Sequence, residues 1–269
     1  MNGDPSRPAA GPGSPPSGQP DPARVQALAL ARDGVLRRID EACRMVSRAP
    51  SSVLLLAVSK TFDAGHVAAM AATGQRAFGE NYLQEALNKQ QILADQWPQI
   101  PLQWHFIGPI QSNKTRPIAT HFDWVHTVDR ERIAQRLSEQ RPAGLAPLQV
   151  CLQVNIDDEA SKHGCTPDLA PALAMDIAAL PRLRLRGVMA IPAVSDDPVV
   201  QRRAFAKVRG VFDACRAALS LSSGPAAGDD FDTLSMGMTG DLEAAVAEGA
   251  TIVRVGTALF GARAPRTVA

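Results

Sequence analysis

Residues Ser52-Val53-Leu54-Leu55-Leu56-Ala57-Val58-Ser59 form the most apolar strand-like run of the chain, bounded by Pro50 before it and Asp63-Ala64-Gly65 after it. A strand on a half-solvated sheet alternates apolar and polar residues. A strand that is apolar at nearly every position is buried on both faces, which places it in a parallel sheet covered by helices. Parallel strands need long crossover connections, and the rest of the chain supplies them. Strands are predicted at 77–79, 102–107, 124–128, 148–156, 183–190, 231–235 and 251–255. Between them, helical patterns fall near 63–74, 82–95, from Asn113 onward, and at 130–140, 167–180, 197–219 and 241–248. A short segment, 256–262, closes the series. About eight β-then-α units in a stretch of roughly 250 residues match a single α/β (β/α)8 TIM barrel. An open doubly wound sheet is the alternative, but no G-x-G-x-x-G follows the first strand.

Before the barrel, a mostly apolar stripe at helical spacing predicts an extra N-terminal helix over about 23–47 (Val25, Leu28, Ala29, Val35, Leu36, Ile39, Cys43). Residues 1–22 are mostly Pro, Gly, Ser and Ala with no large apolar side chain, so a disordered tail is expected there and a single folded domain at 23–264. The net charge of +1 gives no electrostatic basis for nucleic acid as a partner. No apolar run reaches the length of a membrane span, and the N-terminus lacks a signal-peptide core, so a membrane partner is not expected. The four cysteines (Cys43, Cys151, Cys165, Cys215) form no C-x-x-C pair. Reduced thiols and a cytoplasmic setting follow as the expectation.

In a barrel of this kind, chemistry collects at the carboxyl ends of the strands. Lys60 ends the first strand, Glu80-Asn81 the second, and Asn155 the fifth. Ser235-Met236-Gly237-Met238 end the seventh strand and Arg254-Val255-Gly256-Thr257 the eighth. A lysine in a dry mouth is a usable nucleophile toward an aldehyde, although by position alone a lysine that caps the strand and reaches to water is the commoner case. Ser235, Gly237, Gly256 and Thr257 suit a phosphate site after strands seven and eight, where glycines admit backbone N–H groups and hydroxyls donate. Arg254 could meet that anion, or pair with Glu248 or Asp241. His105 and His126 can face the mouth or sit as satisfied core histidines. The histidines show no metal-ligand spacing. An aldehyde-reactive lysine and a phosphate cradle together imply a ligand carrying both groups: pyridoxal 5′-phosphate (PLP), or a sugar phosphate of the aldolase type.

Six segments together resemble the YggS/PROSC family of PLP homeostasis proteins. They are Ala57-Val58-Ser59-Lys60-Thr61, Phe78-Gly79-Glu80-Asn81-Tyr82-Leu83-Gln84-Glu85, residues 104–114, residues 185–192, Leu234-Ser235-Met236-Gly237-Met238, and residues 253–261. The resemblance implies a barrel like the N-terminal domain of alanine racemase, with PLP held as a Schiff base on Lys60. It further implies that Ser235, Gly256 and Thr257 bind the phosphate with Met236 beside them. Arg254 would face the pyridine nitrogen, and Asn81 and His105 would line the pocket. Two places depart from the family pattern: Ser161-Lys162-His163-Gly164 and Met238-Thr239-Gly240-Asp241. Thr239 is expected to cap the helix that follows.

A PLP racemase needs an acid/base group on each face of the cofactor. This chain has one tyrosine, Tyr82, and a cation is expected opposite the ring nitrogen. Such a cation weakens the ring as an electron sink. A non-catalytic PLP carrier that passes its cofactor to the apo-forms of PLP-dependent enzymes is therefore expected, working as a monomer. A PLP-dependent amino-acid racemase or lyase is the alternative.

Overall fold

The computed structural model describes residues 19–157, 162–223 and 228–262. The tail expected at 1–22 falls mostly on residues 1–18, outside the described residues. Eight parallel strands close into a barrel in sequence order. They are β1 (Leu54–Val58), β2 (Ala77–Glu80), β3 (Gln103–Phe106), β4 (Trp124–Val128), β5 (Leu148–Val154), β6 (Leu183–Ala190), β7 (Thr233–Ser235) and β8 (Ile252–Val255). β8 pairs with β1 through Leu54↔Ile252 to Ala57↔Val255, which completes the ring.

Helix α1 (Pro22–Met45) precedes the barrel; Asp21 accepts the Ala23 N–H at 3.0 Å, and Pro22 takes a first-turn position that has no N–H to lose. Between strands run α2 (Ala64–Ala72), α3 (Leu83–Gln96), α4 (Thr115–His121), α5 (Glu131–Gln140), α6 (Ala170–Ala178), α7 (Pro198–Ser223) and α8 (Leu242–Ala247), and α9 (Thr257–Phe260) follows β8. The helices expected from Asn113 and Pro167 each begin as a tighter 3-10 turn, at Ser112–Lys114 and Pro167–Leu169. The expected seventh strand is shorter than its apolar pattern suggests, because Phe231 packs between the sheet and the helices before pairing begins at Thr233.

Side chains alternate in and out along each strand. Outward positions such as Leu55, Ala57, Phe106, Val125, Val253 and Val255 join the large core beneath the helices. Inward positions such as Leu56, Trp124, Cys151, Met189 and Ile252 fill the barrel axis. α1 is strapped to the outside by two arginines. Arg38 donates to both Glu243 oxygens at 2.7 and 2.9 Å and to the Thr239 carbonyl at 2.8 Å. Arg48 donates to the carbonyls of Val246 and Ala250 at 2.8 Å each. All four cysteines are free and buried. Burial pushes the thiols of Cys151 and Cys215 up to about 12 and that of Cys165 up to about 11. Among the described residues, no helix is long and apolar enough to cross a membrane, and no His/Cys/Asp/Glu cluster could hold a metal ion.

Candidate functional site

A cavity of about 320 Å³ opens at the carboxyl ends of the strands, near the small end of the ordinary range for ligand pockets. Lys60 reaches it two residues past β1, Asn81 one residue past β2, and Ile191 one residue past β6. Met238, Thr239 and Gly240 come from the loop after β7, Arg254 from β8 itself, and Gly256 and Thr257 from the turn into α9. Of the eight residues that the family resemblance implied, five therefore meet at one cavity: Lys60, Asn81, Arg254, Gly256 and Thr257. The other three, His105, Ser235 and Met236, do not line it.

The alternation of the strands and the depth of each residue along the barrel account for all three. With Ser235 turned inward, Met236 must turn outward, and it lies fully buried in the core beneath the helices. Met238, two residues on, faces the cavity instead. His105 and Ser235 point into the barrel axis below the cavity and are fully buried. There they belong to a hydrogen-bonded chain. His105 Nε2 lies 3.0 Å from Gln103 Oε1, His105 Nδ1 lies 2.9 Å from His126 Nε2, and His126 Nδ1 lies 2.8 Å from Ser235 Oγ. Arg254 donates to Ser235 Oγ at 3.0 Å, to the Ser235 carbonyl at 2.6 Å and to the Ala190 carbonyl at 3.0 Å.

Proton positions in this chain follow from its far end. Gln103 Oε1 can only accept, so His105 Nε2 carries a hydrogen. Burial holds His105 neutral, with its pKa down to about 3, so its Nδ1 accepts from His126 Nε2–H. Burial, helped by His105 and the Arg254 charge, holds His126 well below the usual range. Its Nδ1 therefore accepts from the Ser235 hydroxyl, which in turn accepts from Arg254. The Ser235 proton is committed to His126. Arg254, brought down to about 10 by burial, stays cationic at neutral pH and pairs with neither Glu248 nor Asp241. Glu248 pairs with Arg202.

These histidines also set a pH dependence. His105 binds a proton near 6.5 when unfolded but only near 3 when folded, so the unfolded state holds more protons between those values and stability falls as pH falls. From pH 7 to pH 5, His105 alone contributes a loss of about 2 kcal/mol. His126 acts in the same direction, and the raised Glu80 carboxyl opposes both. Urea unfolding at the two pH values should show a smaller loss in His105→Gln than in the parent chain. Equal losses would remove the histidine account.

Asn81 is placed by close packing: a Cβ on Gly108 would stand 2.1 Å from the Asn81 carbonyl oxygen. Its buried Oδ1 has no hydrogen-bond partner among the described residues, an acceptor at the cavity that a ligand donor could satisfy. Thr239 does not cap α8 as expected. Asp241 occupies that position, and its carboxylate accepts the Met238 N–H at 2.6 Å. Thr239 is left to line the cavity, with its carbonyl tied to Arg38. In the Ser161-Lys162-His163-Gly164 loop, Ser161 lies outside the described residues and Lys162 pairs with Asp157 at 2.6 Å. Tyr82 sits at the start of α3 and is about half exposed.

Sequence inspection missed one group. Lys89 on α3 is buried and donates to Ser59 O, Glu80 Oε1 and Glu85 Oε1, next to the Lys60 turn. A Glu at 85 and a Lys at 89 look like an ordinary surface pair on a helix, and only the long-range partner Glu80 distinguishes them.

The family model described as alanine racemase, N-terminal domain, matches residues 36–264, so this is an alanine-racemase-type barrel. The Pyridoxal phosphate homeostasis protein of Pseudomonas aeruginosa is 60% identical over 229 residues, covering 85% of this chain and 93% of that protein. Among solved structures, an unknown protein from Bifidobacterium adolescentis matches with a TM-score of 0.80 at 37% identity, covering 90% of this chain and 98% of its own. PipY of Synechococcus elongatus, solved with PLP bound, matches with a TM-score of 0.69 at 36% identity, covering 83% of this chain and all of its own. The chain belongs to the pyridoxal phosphate homeostasis protein family.

Proposed function

We propose that this protein binds PLP covalently through Lys60 and hands it to the apo-forms of PLP-dependent enzymes, with no reaction of its own. The observation that carries the reading is the convergence of Lys60, Asn81, Arg254, Gly256 and Thr257 on one cavity in a barrel of this family. The PLP-bound PipY structure supports it. PLP, when bound, supplies an electrophilic aldehyde. Lys60 Nζ would form the bond to the aldehyde carbon, with the amine's two hydrogens leaving with the aldehyde oxygen as water. The unpartnered Asn81 Oδ1 suits the ring hydroxyl, and Arg254 suits the ring nitrogen. Backbone N–H groups at Gly256 and Thr257 and the Thr257 hydroxyl suit the phosphate, with Thr239 and Gly240 beside them. Ser235 and His105 would act from behind, through Arg254.

Two features support a carrier over a racemase or lyase. Among the described residues, the titratable side chains lining the cavity are Lys60 and Arg254, so no acid/base pair flanks a ligand there. A cationic Arg254 also opposes protonation of the ring nitrogen, which electron withdrawal requires. The barrel closes without a strand from another chain, which suits a monomer, and the four free thiols suit the cytoplasm.

Titration of the purified protein with PLP tests this directly. A saturable visible absorbance band should appear. Adding an apo-PLP enzyme should then drain the band and restore that enzyme's activity. Absence of the band overturns binding through an amine, and a band that persists beside an active apo-enzyme overturns delivery.

A further inference from the structure

Lys60 sits in a four-residue turn, Ser59-Lys60-Thr61-Phe62, closed by the Phe62 N–H on the Ser59 carbonyl at 3.1 Å. Thr61, the third residue, has φ of +73°. That is the left-handed region, which a β-branched residue occupies only when its surroundings hold it there. The surroundings are specific. The Thr61 N–H donates to Glu85 Oε1, and Ser59 Oγ donates to Glu80 Oε1 at 2.7 Å. One ammonium joins the two sides: Lys89 Nζ donates to the Ser59 carbonyl at 2.8 Å, to Glu80 Oε1 at 2.7 Å and to Glu85 Oε1 at 2.6 Å. Its three hydrogens meet three acceptors, so it is saturated. Its side chain is 5% exposed and that of Glu80 fully buried.

A buried ammonium between carboxylates is weak support for stability, since well-packed apolar residues of the same volume often do as well. What it supplies here is geometry. Lys89 does not line the cavity, so its effect on a ligand passes through the turn.

We propose that Lys89 is a positioning residue for Lys60: it holds the backbone before that lysine directly, at the Ser59 carbonyl, and the backbone after it through Glu85, and so aims the Lys60 amine at the carbonyl carbon it must attack. The proposal rests on the reading of Lys60 as the residue that captures PLP. It accounts for a strained turn at a lysine, for a second lysine buried next to the first, and for two carboxylates converging beneath the turn. Saturation of its three donors also keeps Lys89 itself from competing for the aldehyde.

The test uses the full chain and two ligands, PLP and pyridoxine 5′-phosphate, which carries an alcohol where PLP has the aldehyde. In Lys89→Met, the rate of appearance of the visible band with PLP should fall by roughly tenfold or more, because small misplacements of a reacting group cost that much. The affinity for pyridoxine 5′-phosphate should stay at the parent value, since no bond to Lys60 forms. Equal losses for both ligands mean that Lys89 only props the mouth open, and no loss for either means that it does nothing. Either result overturns the proposal. If Lys89→Met does not fold, Glu85→Ala frees the Thr61 N–H and removes one of the three Lys89 acceptors while the Ser59 side stays held, and the same two outcomes decide. If the parent chain captures no PLP at all, the proposed function itself fails and the positioning role falls with it, whereas equal losses or no loss in the variant overturn the positioning role alone.

Discussion

In Lys60→Ala the visible band of bound PLP should vanish entirely, while the fold survives. Lys60 stands in a half-buried turn beyond the last residue of β1, outside the buried cores that carry the barrel's stability. Truncating it removes the only amine that lines the cavity among the described residues. Contacts from Asn81, Arg254, Gly256 and Thr257 would remain, so the ligand should still bind, but without the covalent link. The loss should be of hot-spot size, at least about 2 kcal/mol or roughly 30-fold in Kd. Equilibrium dialysis measures that loss, and thermal unfolding checks that the fold is intact. A visible band that persists in Lys60→Ala would show that another amine holds the ligand.

Gly187→Ala should be the most damaging small substitution in the barrel. Gly187 lies in β6 opposite Thr233 of β7, and a Cβ there would stand 1.7 Å from the Thr233 carbonyl oxygen. The obstacle is backbone of the neighbouring strand, so no rotamer change relieves it. β7 has only three residues, Thr233–Ser235, and it carries Ser235 to the Arg254 network. Pushing β6 and β7 apart should cost at least about 3 kcal/mol, or roughly 6–12 °C in Tm for a domain of this size. It should also loosen Arg254. Gly210→Ala on α7 is the control: its Cβ would meet nothing within 4 Å. There the same change should be neutral or stabilise by about 0.4–1 kcal/mol. Equal Tm values for the two variants would mean that β6 and β7 tolerate separation.

The sequence conveyed the barrel well because its information is periodic and local. The continuous apolar run at β1, the spans of β4 and β6, and polar residues gathered after strands all follow from side-chain alternation and burial. Inward or outward placement near strand ends was harder to read. Met236 and Met238 are chemically identical and two residues apart, yet one is core and the other lines the cavity, because β7 ends at Ser235 and because Gly237, with φ of +91°, breaks the alternation between them. His105 was ambiguous for a different reason. A histidine facing the barrel axis can line a pocket or lie beneath one, and depth is set by strand register, which no short motif encodes. Lys89 was hidden by its i, i+4 partner Glu85, because the contact that gives it meaning crosses from α3 to β2.

A protein that binds an aldehyde is exposed to its own ligand, since every accessible amine or thiol is a rival site of attack. The four buried thiols bear on this. With pKa values pushed as high as about 12 at Cys151 and Cys215, almost none of their sulfur is thiolate at neutral pH. The buried thiols of this chain are therefore poor nucleophiles, and exposure to PLP or to mild thiol oxidants should leave those four positions unmodified.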